Sequence, residues 1–149
     1  MVKSGGFFLF LSGEHHHGLD DKRRLALPAR LRQNVRRFVL ARGLEGCLSL
    51  YTEAEWTKLM VKLDGLPVAN KAHARAFKRL LISGAILSDV DGQGRLLVPD
   101  SLGRYAGIRK AVTVVGMETR IELWSSERWA RYKKQAEKSA ALIAPEIDL

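Results

Sequence analysis

A single cysteine, Cys47, stands among 149 residues, so neither an internal disulfide nor a cysteine-rich zinc site can form. That usage is compatible with a reducing compartment without proving one. Long apolar runs are missing too. The stretch Phe7 to Leu11 falls short of the roughly 7–15 residues of a secretory core, and Ser12-Gly13-Glu14 with three histidines follows it instead of a cleavage site. No window approaches the roughly 20 apolar residues of a membrane span. Acidic residues are comparatively few: 16 Asp and Glu against 25 Lys and Arg give a net charge of +9. At 46% hydrophobic and 28% charged residues the chain is neither a disordered polymer nor a membrane protein, and its length suits one domain or two small units sharing a core. The positive excess favours an acidic partner such as nucleic acid.

The most informative feature is an internal repeat. Asp20-Asp21-Lys22-Arg23-Arg24-Leu25-Ala26-Leu27-Pro28 aligns with Asp91-Gly92-Gln93-Gly94-Arg95-Leu96-Leu97-Val98-Pro99 at a shift of 71, and Leu31 then falls on Leu102. With two extra residues near Ala106-Gly107 the shift becomes 73. Val39 then meets Val112, Gly43 meets Gly116, Glu45 meets Glu118, Leu50 meets Leu123 and Trp56 meets Trp129. Two units are too few for a solenoid, so the pattern predicts a duplicated unit whose copies face each other across a pseudo-two-fold axis.

Each copy predicts the same elements. A turn carrying Asp leads into a short strand (Arg24 to Leu27; Arg95 to Val98), and Pro then opens a short helix (Pro28 to Asn34; Pro99 to Ala106), a position where its missing N–H costs nothing. A hairpin follows, Arg37 to Ala41 with Cys47 to Tyr51 and Lys110 to Val115 with Arg120 to Trp124, its first strand apolar and β-branched. A helix closes each copy, opened by Thr52 with Glu55 as a capping box and less fully by Ser125 with Glu127. Phe8 to Leu11 reads as a buried strand, and Lys71 to Leu87 as a helix feeding a strand. The fold class is α+β, with a leader over residues 1–9, a first repeat over 10–70, a second over 71–130, and a C-terminal helix and tail over 131–149 that ends near Ala144-Pro145.

Between Lys22 and Arg42 there are eight basic residues (Lys22, Arg23, Arg24, Arg30, Arg32, Arg36, Arg37, Arg42) and no acidic one. A solvated helix face explains most such runs. Here seven of the eight are Arg, whose planar fork matches phosphates and guanine edges, and Lys22-Arg23-Arg24 cluster at the entry to a strand. The second copy is more dilute, with Arg95, Arg104, Arg109 and Lys110 around Asp100, which predicts that the first copy faces the partner. Alternation turns Leu25 and Leu27 inward and Arg24 and Ala26 outward. A β-ribbon with outward arginines suits the DNA major groove, where Arg binds guanine O6 and N7. Asp20 and Asp91 are expected to cap their turns first and to orient the arginine four residues on second.

These residues resemble the MraZ family of bacterial transcriptional regulators, within the AbrB-like swapped-hairpin superfamily. The resemblance rests on the duplicated Asp-x-x-x-Arg motif followed by an apolar strand and Pro. It rests also on the flanks: Phe10, Gly13-Glu14, His17 and Leu19; Leu50-Tyr51 and Glu55-Trp56; Arg75-Ala76-Phe77 and Arg79 to Ala85; Tyr105-Ala106-Gly107 and Ile121-Glu122-Leu123-Trp124. It covers about Phe8 to Trp129. It implies a pseudo-two-fold, duplicated swapped-hairpin β-barrel with short helices, assembled into closed homo-oligomeric rings, octameric or larger. It implies a cytoplasmic, nucleoid-associated protein that binds double-stranded DNA at repeated promoter boxes upstream of the division and cell-wall gene cluster, its own promoter included. By position, Lys22 and Arg24 are the implied DNA contacts, Arg95 supports them, and Arg36 and Arg37 are candidate phosphate contacts. One departure stands out: Arg23 occupies a position where the family usually has Gly. A positive φ there strains a side chain, whereas an added cation offers a further phosphate contact, so Arg23 joins the candidate DNA contacts.

Other features point elsewhere more weakly. In Glu14-His15-His16-His17 only His15 and His17 share a strand face and no third ligand is evident, so no metal and no cofactor are expected. Trp56, Trp124 and Trp129 are expected as core anchors rather than base-stacking platforms. Gly92-Gln93-Gly94 lacks the lysine and helix of a phosphate loop. No catalytic constellation accompanies either Asp, so the chain is read as a regulator and not an enzyme. The alternatives are an antitoxin of the same superfamily that occupies a toxin through its C-terminal helix, and a non-specific nucleic-acid or nucleoid-binding protein.

Overall fold

The computed structural model describes residues 11–148. The strand expected over Phe8 to Leu11 and the leader over 1–9 therefore lie outside the described residues, except that Leu11 is buried and bridges Glu118.

The first repeat contributes β1 (Glu14–Gly18), β2 (Arg24–Ala26), the single-turn helix α1 (Ala29–Arg32), β3 (Arg37–Arg42), β4 (Leu48–Tyr51) and α2 (Glu53–Asp64). After α3 (Lys71–Gly84) come β5 (Ile86–Asp89), β6 (Arg95–Leu97), α4 (Asp100–Ala106), β7 (Ala111–Met117), β8 (Arg120–Ser125) and α5 (Ser126–Ile143), which passes into a 3₁₀ turn over Ala144–Ile147. Pro28 and Pro99 precede the first residue of α1 and α4 with φ of −56° and −59°, the value the pyrrolidine ring imposes. Thr52 caps α2 by accepting the Glu55 N–H, and Ser125 caps α5 by accepting that of Arg128. The hairpin turns hold equivalent residues, Glu45 and Glu118, both at φ 59°.

Six strands form one antiparallel sheet in the order β1-β7-β8-β4-β3-β5, and β2 pairs with β6 in a separate two-stranded ribbon. The duplication is written into this order. Under the repeat β1 corresponds to β5, β7 to β3 and β8 to β4, so the sheet reads the same from either edge. Ser49 pairs with Glu122, its equivalent at a shift of 73, and Leu25 pairs with Leu96, its equivalent at 71. Each repeat's first strand also adds to the hairpin of the other repeat, β1 to β7 and β5 to β3.

The inner face of the sheet meets the ribbon with α1 and α4. Leu25, Leu40, Leu48, Leu96, Val98, Val112, Val114, Ile121 and Leu123 are completely or almost completely buried there. The outer face carries two smaller clusters. Ala41 packs with Leu63 and Leu81 beneath Trp56, Met60 and Phe77 of α2 and α3, and Cys47, Val115 and Trp124 lie beneath Trp129 of α5. Tyr51 against Trp56 and Trp124 against Trp129 are equivalent aromatic pairs, at 5.6 and 5.2 Å between centroids. The tryptophans thus anchor helices to the sheet, away from the ribbon.

The expected barrel does not close among the described residues. β1 and β5 lie at opposite edges of the sheet and do not pair. Helices cover one face and the ribbon the other, so both apolar faces are buried by stacking in layers, and curling the sheet until its edges meet is not required.

Candidate nucleic-acid interface

Both Asp-to-Arg motifs lie at the ends of the ribbon and are built identically. Asp20 Oδ1 accepts the N–H groups of Lys22 (2.9 Å) and Arg24 (2.8 Å), while Oδ2 accepts Nε–H of Arg24 (2.8 Å). Asp91 repeats each bond, to the N–H groups of Gln93 and Arg95 and to Nε–H of Arg95, all at 2.9 Å. The spacing Asp-x-x-x-Arg therefore lets one carboxylate oxygen close the turn while the other holds the guanidinium. Both carboxyls lie below the ordinary aspartate range, chiefly because the Arg24 or Arg95 backbone N–H points at them, with the arginine side chain adding to it. Asp20 Oδ2 also lies 3.8 Å from Arg95 Nη1, so the first carboxylate faces both arginines.

Across the ribbon Arg24 pairs with Leu97 and Ala26 with Arg95, which places these four side chains on the outward face while Leu25 and Leu96 point into the core. Nε is the one guanidinium nitrogen hydrogen-bonded in each, so among the described residues the Nη groups that match guanine O6 and N7 are left without a hydrogen bond, Arg95 Nη1 lying near Asp20. Each repeat supplies one arginine to this surface. The charge imbalance between the halves predicts a face belonging to the first copy; the ladder builds one face from both, because the pseudo-two-fold axis runs through the ribbon.

The other candidates are dispersed. Lys22 is exposed on the first turn. Arg36 and Arg37 are exposed at the entry to β3 in the large sheet, and Arg37 Nε donates to Asp89 Oδ1 at 2.8 Å. Arg23 is turned away from the ribbon's outward face: its Nε donates to the Val98 carbonyl at 3.0 Å and its Nη1 lies 3.8 Å from Asp100. Its φ is 60°, close to the 78° of its equivalent Gly94, so the first turn keeps the shape of the second at a strain cost of about 1–2 kcal/mol for a side chain.

Sequence reasoning missed how much of the basic run is structural. Arg30 Nη2 donates to the Ser12 carbonyl, Arg32 Nε to that of Leu27, and Arg42 Nη1 to the Leu80 carbonyl and the Ser83 hydroxyl while its guanidinium lies over the Tyr105 ring. Backbone carbonyls leave no mark in a sequence, so a guanidinium destined for one looks like a free cation. Among the described residues no group of three or more His, Cys, Asp or Glu is placed to hold a metal ion, and no helix is long and apolar enough to cross a membrane.

The family model described as "MraZ protein, putative antitoxin-like" matches the chain twice, over residues 10–80 and 81–146. A protein of Desulforamulus reducens named "Transcriptional regulator MraZ" is 46% identical over 136 residues, covering 91% of this chain and 95% of the relative. Proteins of the same name from Heliobacterium modesticaldum and Pelotomaculum thermopropionicum are each 44% identical over 136 residues, covering 91% of this chain and 94% and 93% of the relatives. Two family matches in tandem and near-complete coverage agree with the doubled Asp-x-x-x-Arg turn and the palindromic sheet: the chain belongs to the MraZ family.

Proposed function

We propose that this chain is a transcriptional regulator that binds double-stranded DNA sequence-specifically by inserting the β2–β6 ribbon into the major groove. The observation that carries the reading is the pair of identically braced arginines, Arg24 and Arg95, on one outward face. Each guanidinium is held at Nε by an aspartate before any DNA arrives, so little side-chain freedom is left to lose on binding. A major groove about 12 Å wide admits a two-stranded ribbon. Lys22 stands at the edge of that surface as a phosphate contact, and Arg36 and Arg37 as more distant ones.

Two arginines give few base contacts, so tight and selective binding calls for several subunits. In the finer form of the proposal, copies of the chain close into rings of eight or more through the swapped-hairpin fold. The ring engages repeated boxes in the promoter of a division and cell-wall gene cluster, its own promoter among them. Linking such sites raises the apparent affinity by roughly 10²–10⁴ through effective concentration. The site of action is the cytoplasmic nucleoid.

The test is a titration of labelled duplex from upstream of this protein's own gene against a scrambled duplex of equal length, at fixed salt. Specific reading predicts a difference of roughly 10³-fold or more. Equal affinities support non-specific nucleic-acid binding, and no affinity for either duplex moves the function to a protein partner such as a toxin.

A further inference from the structure

The two motif turns meet the opposite repeat in the same way. The Arg23 carbonyl accepts the Val98 N–H at 2.9 Å, and the carbonyl of its equivalent, Gly94, accepts the Leu27 N–H at 3.0 Å. A guanidinium lies beside each of these bonds, but the two come from opposite sides. At the first turn Arg23 supplies it: Nε donates to the Val98 carbonyl at 3.0 Å, and Nη2 is buried over Gly103 of α4 without a hydrogen-bond partner among the described residues. At the second turn Arg32 of α1 supplies it: Nε donates to the Leu27 carbonyl at 3.3 Å, and the group covers Gly94.

At the shift of 71, residue 23 corresponds to 94 and residue 32 to 103. The repeats therefore carry the same pair of residue types in exchanged order, Arg on the turn with Gly on the helix, then Gly on the turn with Arg on the helix. Neither place has room for more while its guanidinium stays where it is. A Cβ on Gly94 would stand 2.6 Å from Arg32 Nε, and one on Gly103 would collide with Arg23 Nη2.

We infer that Arg23 and Arg32 are positioning residues that fasten the two recognition turns to the frame, and that Arg23 does not contact DNA. The inference rests on the DNA-reading function proposed above. It assigns the extra cation of the first motif to holding Arg24 in place relative to Arg95. The exchange also accounts for an arginine at positive φ: the guanidinium that the second turn draws from a helix, the first turn must supply itself.

Gly103→Ala is the direct probe. The added methyl must push the Arg23 guanidinium from its place, whereas in an Arg23→Gly background its nearest remaining neighbour is the Ile108 carbonyl at 3.4 Å. Urea unfolding midpoints of the native chain, both single variants and the double variant are expected to be non-additive, with the Gly103→Ala loss shrinking when residue 23 is glycine. Additive midpoints overturn the inference.

The second arm reads DNA. Arg23→Gly and the swap Arg23→Gly/Gly103→Arg, which rebuilds the order of the second turn, are titrated with the own-upstream and scrambled duplexes at several salt concentrations. Positioning predicts that Arg23→Gly narrows the ratio between duplexes on the order of tenfold at an unchanged salt slope, and that the swap recovers most of it. An unchanged ratio overturns the inference. So does an equal weakening on both duplexes with a slope lower by about one, the mark of a phosphate contact. A native chain that binds both duplexes alike defeats the proposed function instead, and the unfolding midpoints still decide whether Arg23 braces α4.

Discussion

At Arg24 and Arg95 an aspartate four residues upstream closes a turn with one oxygen and aims a guanidinium with the other. The depressed pKa of Asp20 and Asp91 ties this device to pH. A lowered folded-state value means the stabilisation is complete above the unfolded aspartate value of about 4 and is lost as pH falls through the folded value. Asp20→Asn is therefore expected to lower the urea midpoint at neutral pH, with the gap to the native chain closing as pH drops below about 4. A constant gap across that range would assign the loss to shape and not to charge. At this scale the sequence was partly legible. Asp spaced four from Arg, ahead of alternating Leu and Ala, announced both the turn and the outward arginine. It marked Arg23 as a side chain where positive φ favours Gly, but not what its guanidinium binds, because the acceptor is a backbone carbonyl 75 residues away.

The ribbon holds the site because its inner face is core. Leu25 and Leu96 are opposed at its centre and fully buried. Leu25→Ala is expected to destabilise the chain by about 2–5 kcal/mol, a cavity cost measured by urea unfolding, and to weaken DNA binding only through loss of folded protein. The entry to β3 behaves differently. If Arg36 and Arg37 touch phosphate, neutralising both lowers the salt slope by up to about two without altering sequence preference; an unchanged slope leaves them as solvated cations, Arg37 serving Asp89 alone. The elements themselves were largely readable. Pro before each short helix, β-branched runs in the hairpins and the Thr52 cap are local signals, and the elements expected between Arg24 and Trp124 formed within about two residues of their place, α1 excepted, which is cut to a single turn, whereas β1 (Glu14–Gly18) was not expected as an element. Strand order was not readable. That β1 adds to β7 and β5 to β3 is decided by which edges remain open once the hairpins pair, and no local pattern encodes it.

For the whole molecule, duplication explains more than charge does. The +9 excess suggested an acidic partner, and the basic run suggested one half as the binding half. In the folded chain most of those arginines are tied to carbonyls and carboxylates, and the two arginines on the ribbon's outward face, Arg24 and Arg95, come one from each repeat. Among the described residues the expected barrel does not close, for a related reason: the repeat predicts symmetry, but whether a symmetric sheet curls or stacks depends on the helices available to cover it. Light scattering on the purified chain is expected to give a mass of eight or more copies of 16.7 kDa; a monomer would remove the avidity on which the affinity argument depends.

The central claim is that one ribbon bearing Arg24 and Arg95 reads DNA sequence. Its most direct test is Arg24→Ala titrated on the own-upstream and scrambled duplexes at one salt concentration, with mass and unfolding midpoint followed in parallel. The account predicts that the roughly 10³-fold preference of the native chain collapses toward one while mass stays unchanged and the midpoint drops only slightly. An Arg24→Ala chain that keeps its preference would contradict it.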